Sequence, residues 1–163
     1  MAERRARHYV AGGIGLFVFV GIGVGLAQNF TLSFFIEQFV DPGSDPLENS
    51  AIGLLLLGSV FTPFTLGPLV AAGVGLVTGV NYPDREGLAA LVAGAASGVG
   101  FVLMTGLTLF LTFAVLSQYA SGGGGGGGGG PFSPADLVPT IVQAGIPMAV
   151  VGGGAAYIRA RLV

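Results

Sequence analysis

Residues 87–119 read GLAALVAGAASGVGFVLMTGLTLFLTFAVLSQY and contain no charged side chain. A helix of that length runs roughly 50 Å at ~1.5 Å per residue, well beyond the ~30 Å hydrocarbon layer of a bilayer. The first half is built from small residues, Ala90, Ala93, Gly94, Ser97 and Gly98. The second half is bulky, with Thr105, Thr108 and Thr112 along one side. The division predicts a helix that packs tightly at one end and carries hydroxyls at the other.

The rest of the chain has the same character. Of its 163 residues, 52% are hydrophobic and 9% are charged. Soluble domains carry about 25% charged residues, so this chain has too few to cover a water-facing surface. Apolar runs in lipid must satisfy their own backbone, and the alternation of a β-barrel strand is nowhere visible. The expected class is an all-α integral membrane protein, a four-helix transmembrane bundle forming a single membrane domain over residues 1–163. A net charge of −2 is too small to imply a nucleic-acid partner or a steering field, and none is expected. Cysteine is absent, which removes disulfides, thiolate metal sites and thiol nucleophiles. All six cations are arginine, and Ala, Gly and Val are abundant. In this composition the chain resembles small multi-span membrane proteins of unknown function from halophilic archaea; no motif accompanies the resemblance, and it implies no residue role.

Four spans are expected, at about 9–36, 51–80, 87–119 and 137–158. Arg4, Arg5 and Arg7 precede the first. Gly25-Leu26-Ala27 would suit signal cleavage, but apolar character resumes at once in Phe30–Phe39 and favours a continuing helix. An acidic loop, 37–50, follows, with turn chemistry at Pro42-Gly43 and Asp45-Pro46. The second run holds Pro63 and Pro68, with Thr62 and Thr65 placed to satisfy the carbonyls that proline frees. It reads as one kinked helix, or as a short interfacial helix before a span from Pro63. Asp84 is placed to cap the third helix. Residues 121–131, nine glycines between Ser121 and Pro131, form a linker, because no strand precedes them and no Lys-Ser/Thr follows. The fourth span holds Pro139 and Pro147 and ends in Arg159 and Arg161.

Orientation follows from arginine. With the N-terminus inside, Arg4, Arg5, Arg7, Arg85, Arg159 and Arg161 all fall on cytoplasmic segments, while Glu37, Asp41, Asp45, Glu48 and Asp136 fall outside. The expected location is the cell membrane, multi-pass, with both termini cytoplasmic. Residues 33–39 resemble 112–119, which suggests two helical hairpins repeated in parallel.

Each span carries a pair of small residues four apart: Gly21/Gly25, Gly75/Gly79, Gly94/Gly98 and Gly152/Ala156. Such pairs let backbones approach and serve packing within the bundle or a homo-oligomer. The polar residues gather in the other half: Gln28, Asn29, Thr62, Thr65, Thr105, Thr108, Thr112, Thr140 and Gln143. They outline a polar vestibule facing outward, or bond the carbonyls of their own helices. No catalytic, cofactor-binding or metal-ligating set is evident. His8 is the only histidine and sits in an arginine-rich tail. The expected function is therefore non-enzymatic, a structural or accessory subunit of a membrane assembly. Its partners would be the bilayer and either a second copy or another membrane protein. The alternative is a small transporter or channel component for a neutral or small polar solute.

Overall fold

The computed structural model describes residues 2–41, 44–83, 85–119 and 134–162, with side chains described from Ala6 in the first helix and from Leu137 in the last. The poly-glycine linker, Pro42-Gly43 and the Asp84 cap lie outside the described residues. Four long helices make up the fold: α1 (Ala2–Phe39), α2 (Ser50–Val80), α3 (Glu86–Tyr119) and α4 (Pro134–Leu162). All four are long and apolar enough to cross a membrane, and no strand occurs among the described residues.

Helix ends differ from expectation in two places. α1 begins inside the arginine tail and continues to Phe39, so Glu37–Phe39 are helical rather than part of the acidic loop. The Phe35 and Phe39 rings, 5.4 Å apart, stack along this last turn. Beyond it, Pro46–Glu48 form a 3-10 turn capped by Asp45, whose Oδ1 accepts from the Leu47 N–H at 2.9 Å. Asn49 then does two jobs. Its side-chain oxygen accepts from the Ala51 N–H to start α2, and its Nδ2 donates to the Phe39 carbonyl at 3.0 Å. The end of α1 is thereby tied to the beginning of α2. α2 itself is one continuous helix, with Pro63 and Pro68 inside it.

Helix α3 is the hub, packed against all three others, whereas α1 and α4 lie on opposite sides of it. Phe19, Phe30, Leu54, Leu69, Leu91, Phe110, Ile146 and Val150 are exposed around the whole perimeter, while glycine, alanine and the hydroxyl residues fill the crossings. Three apolar clusters stack along the axis. Tyr82, Ala89, Ala93, Ala156 and Ala160, with Tyr9 against them, close one end. Phe17, Ala71, Phe101, Met104 and Met148 occupy the middle. Leu32, Ile36, Ile52 and Val115 close the other end. The first cluster brings the start of α1, the α2–α3 turn and the end of α4 together, so both ends of the chain lie at one end of the bundle. The exposed Arg7, Arg85, Arg159 and Arg161 are there too, with Asp41, Asp45 and Glu48 at the opposite end.

The packing is not that of two equivalent hairpins. A twofold axis would make α1 meet α2 as α3 meets α4. Instead α3 and α4 interlock backbone to backbone through Gly94, Gly98, Gly145 and Gly153, while α1 and α2 meet through side chains, as in the cluster of Phe17 and Ala71 and at Gln28–Ser59. Between α1 and α2 lies an open groove of about 440 Å³, lined by Val24, Leu32, Leu54 and Leu55 together with Gln28, Thr31, Ser59 and Thr62.

Candidate functional site

The polar residues expected to share a vestibule are distributed over three places. The first is a layer between the middle and outer apolar clusters, where α1, α2 and α3 meet. Gly21 starts it. A Cβ there would stand 2.8 Å from the Met104 Cα and carbonyl oxygen, so only glycine lets α1 and α3 approach this closely. That approach puts the Thr108 hydroxyl 3.1 Å from the Gly21 carbonyl, to which it donates. One turn further on, the Asn29 Nδ2 donates to the Leu111 carbonyl at 3.1 Å.

Gln28 is the centre of this layer. Its Nε2 donates across to the Ser59 carbonyl of α2 at 3.2 Å. Its Oε1 accepts from the Thr112 hydroxyl of α3 at 2.8 Å, a proton shared with the Thr108 carbonyl at the same distance. The Ser59 carbonyl needs this donor because residue 63 is proline: the N–H that would close its i+4 bond does not exist. The expectation that Thr62 and Thr65 would serve the freed carbonyls is corrected here. Thr62 donates to the Gly58 carbonyl and Thr65 to the Thr62 carbonyl, and the proline-freed acceptor is met by another helix. One amide therefore clasps three helices. The sequence signal for it is Pro63 four residues after Ser59, read together with a glutamine on a helix that crosses there; the second half of that signal is tertiary.

The second place is the bundle perimeter at α4. Thr140 is exposed beside an apolar cleft of about 350 Å³ formed with Val60, Phe61, Phe64, Leu109, Leu137 and Ile141. Gln143 is exposed on α4 one turn beyond Thr140. The third is the α2 surface, where Thr65 is exposed. Thr105 is fully buried beside the polar layer, and its hydroxyl, like that of Ser97, has no hydrogen-bond partner.

The residues expected to form one vestibule are thus divided: Gln28 and Thr62 line the open groove between α1 and α2, whereas the threonines of α3 are buried. Thr105, Thr108 and Thr112 are 0–1% exposed, Gln28 and Asn29 donate to carbonyls of α2 and α3, and the cluster of Leu32, Ile36, Ile52 and Val115 lies next to them toward the acidic end. The physical reason is that α1 and α3 are drawn together by Gly21 and Gly25 rather than splayed.

The small-residue pairs lie at crossings within the chain. A Cβ on Gly75 would meet the Gly152 carbonyl oxygen, and one on Gly79 would come within 2.6 Å of the Ala156 carbonyl. Gly94 and Gly98 face Ala149 at 3.1–3.2 Å, Gly25 faces Thr108 and Leu111, and Gly152 faces Ser97. Ala156 is fully buried. Three further close approaches lie outside the pairs named above: the Phe17 ring lies on Gly100, the Phe101 ring on Gly67, and Ala96 on Gly13.

Among the described residues no three His, Cys, Asp or Glu side chains converge. In the acidic region Glu37 accepts from the Tyr119 hydroxyl at 3.0 Å, joining the ends of α1 and α3. Comparison with known proteins returned no matching family model, no matching curated protein and no matching solved structure.

Proposed function

We propose that this chain is a four-span integral membrane protein, with both termini cytoplasmic, that acts as a non-enzymatic structural or accessory subunit of a membrane assembly. The observation that carries the reading is the Gln28 clasp. Gln28, Thr108 and Thr112 are bonded to neighbouring helices between two apolar clusters, with Gln28 at the wall of the groove between α1 and α2. A permeation path must be wet, and this layer commits the donors of Gln28, Asn29, Thr108 and Thr112 to the protein rather than to a solute. Membrane insertion is supported by the ring of large apolar side chains on all four helices, since soluble monomers rarely expose contiguous apolar patches of more than a few hundred Å². The orientation is supported by the arginines collecting at one end.

Single cysteines in this cysteine-free chain test both parts. In sealed, oriented vesicles a membrane-impermeant maleimide added outside should label Asp45→Cys at once and Arg85→Cys only after permeabilisation. Thr108→Cys should stay unlabelled in both conditions. Rapid labelling of Thr108→Cys would establish water access to the polar layer and favour the transporter or channel reading. Exchange of the Asp45 and Arg85 results would invert the topology.

A further inference from the structure

Pro63 and Pro68 of α2 and Pro147 of α4 each interrupt the backbone hydrogen bonding in the middle of a helix, and they are answered differently. Pro63 frees the Ser59 carbonyl, and the Gln28 amide of the neighbouring helix fills it. Pro147 in the same way leaves the Gln143 carbonyl without its i+4 donor. No helix of this chain stands there. Gln143 and Pro147 are both exposed, and no hydrogen bond engages the Gln143 side chain among the described residues.

The position is also the wrong one for an unpaired amide. Gly145, two residues on, packs on Gly98 and Val102, half-way along α3. Gln143 is therefore within ~3 Å of that level along the axis, far from water at either end if the helices span a bilayer. At 100° per residue Gln143, Pro147, Val150 and Gly154 form one stripe, opposite the buried Gly145, Gly152 and Ala156. Val150 is 69% exposed, and a Cβ on Gly154 would meet nothing within 4 Å. The stripe thus offers a donor and an acceptor at one point, and a small residue three turns away that permits close approach.

We propose that the Gln143–Gly154 stripe of α4 is the contact between two copies of this chain in the membrane. The two copies are related by a twofold axis along the bilayer normal. The argument for a second copy is hydrogen-bond self-complementarity. A twofold rotation sets each Gln143 amide, which donates and accepts, against the amide and the proline-freed carbonyl of the other copy. In lipid no water competes for these groups. The contact uses none of the small-residue pairs named above, which are occupied inside the bundle. It rests on the membrane-spanning reading given under Proposed function.

The test is cross-linking of the full chain reconstituted in liposomes at low protein-to-lipid ratio. Val150→Cys, treated with a short bis-maleimide, should give a covalent dimer as the main product. Leu91→Cys, equally exposed on α3, should give at least tenfold less. Adding Gln143→Leu to Val150→Cys should cut the dimer at least fivefold, and Gln143→Asn should restore part of it. A monomer in every case, or equal yields at Val150 and Leu91, or no effect of Gln143→Leu, overturns the proposal. Alkaline carbonate extraction of the same liposomes separates the two failures. A chain that resists extraction yet does not cross-link refutes the dimer alone. A chain that is extracted refutes the membrane-spanning reading beneath it.

Discussion

Gln28 shows how a single side chain acquires its role from a defect elsewhere. Proline at position 63 removes one donor, and the amide that replaces it then has its own oxygen free for Thr112. Gln28→Leu should destabilise the bundle by about 1–2 kcal/mol, the range for polar contacts between membrane helices. Reversible unfolding in mixed micelles would measure it. The cost should shrink in a Pro63→Ala background, where the restored N–H serves the Ser59 carbonyl; an unchanged cost would mean that the clasp does not depend on the proline. Two threonines one turn apart give the complementary contrast. Thr108→Val forfeits the bond to Gly21 and should cost about 0.5–1.5 kcal/mol. Thr105→Val removes a buried hydroxyl without a partner and should be neutral or stabilising in the same assay.

At the scale of elements, glycine has two separable meanings in this chain. On α2, Gly75 faces the Gly152 carbonyl, whereas Gly73, two residues before it, faces open space. Gly75→Ala must push α4 away from α2 and should cost about 1–3 kcal/mol, as overpacking does. Gly73→Ala meets nothing and should stabilise by up to about 1 kcal/mol through its helix propensity. Equal effects from the two substitutions would show that α2 and α4 are not in backbone contact. The α1–α2 and α3–α4 hairpins diverge for the same reason. Glycines of α3 and α4 sit at backbone crossings, whereas Gly58 of α2, on the α1–α2 groove, meets nothing.

Across the whole molecule, cohesion is graded along the axis. The end carrying the arginines is closed by backbone-to-backbone crossings of α2 and α3 with α4. At the far end Gly53 and Gly58 of α2 meet nothing, and α2 is held there by Ile52 in an apolar cluster and by the Asn49 bond to α1. Hydrogen exchange in lipid nanodiscs should report this gradient, since local opening follows contact density. Amides of 51–58 should exchange at least tenfold faster than those of 71–79. Uniform protection along α2 would contradict it.

The class of this protein was legible in its residues one by one. Charge scarcity, four apolar runs and the turn residues between them dictate four long helices, because an unpaired backbone in an apolar setting has no other remedy. Element identity therefore needed no knowledge of neighbours, and even the continuity of α2 through two prolines was within reach. Partnership was not. Whether Gly75 or Gly73 touches another helix depends on the rotation of α2 about its own axis. Whether Thr105 or Thr108 finds an acceptor depends on how closely α1 approaches. The residues picked out as one vestibule share a composition and a level, yet they divide between a bonded interior layer and an exposed rim. A sequence records which polar groups exist, while only the packed helices decide which carbonyl lies within 3 Å of each, since hydrogen bonds and backbone crossings are fixed by angles that no single helix contains.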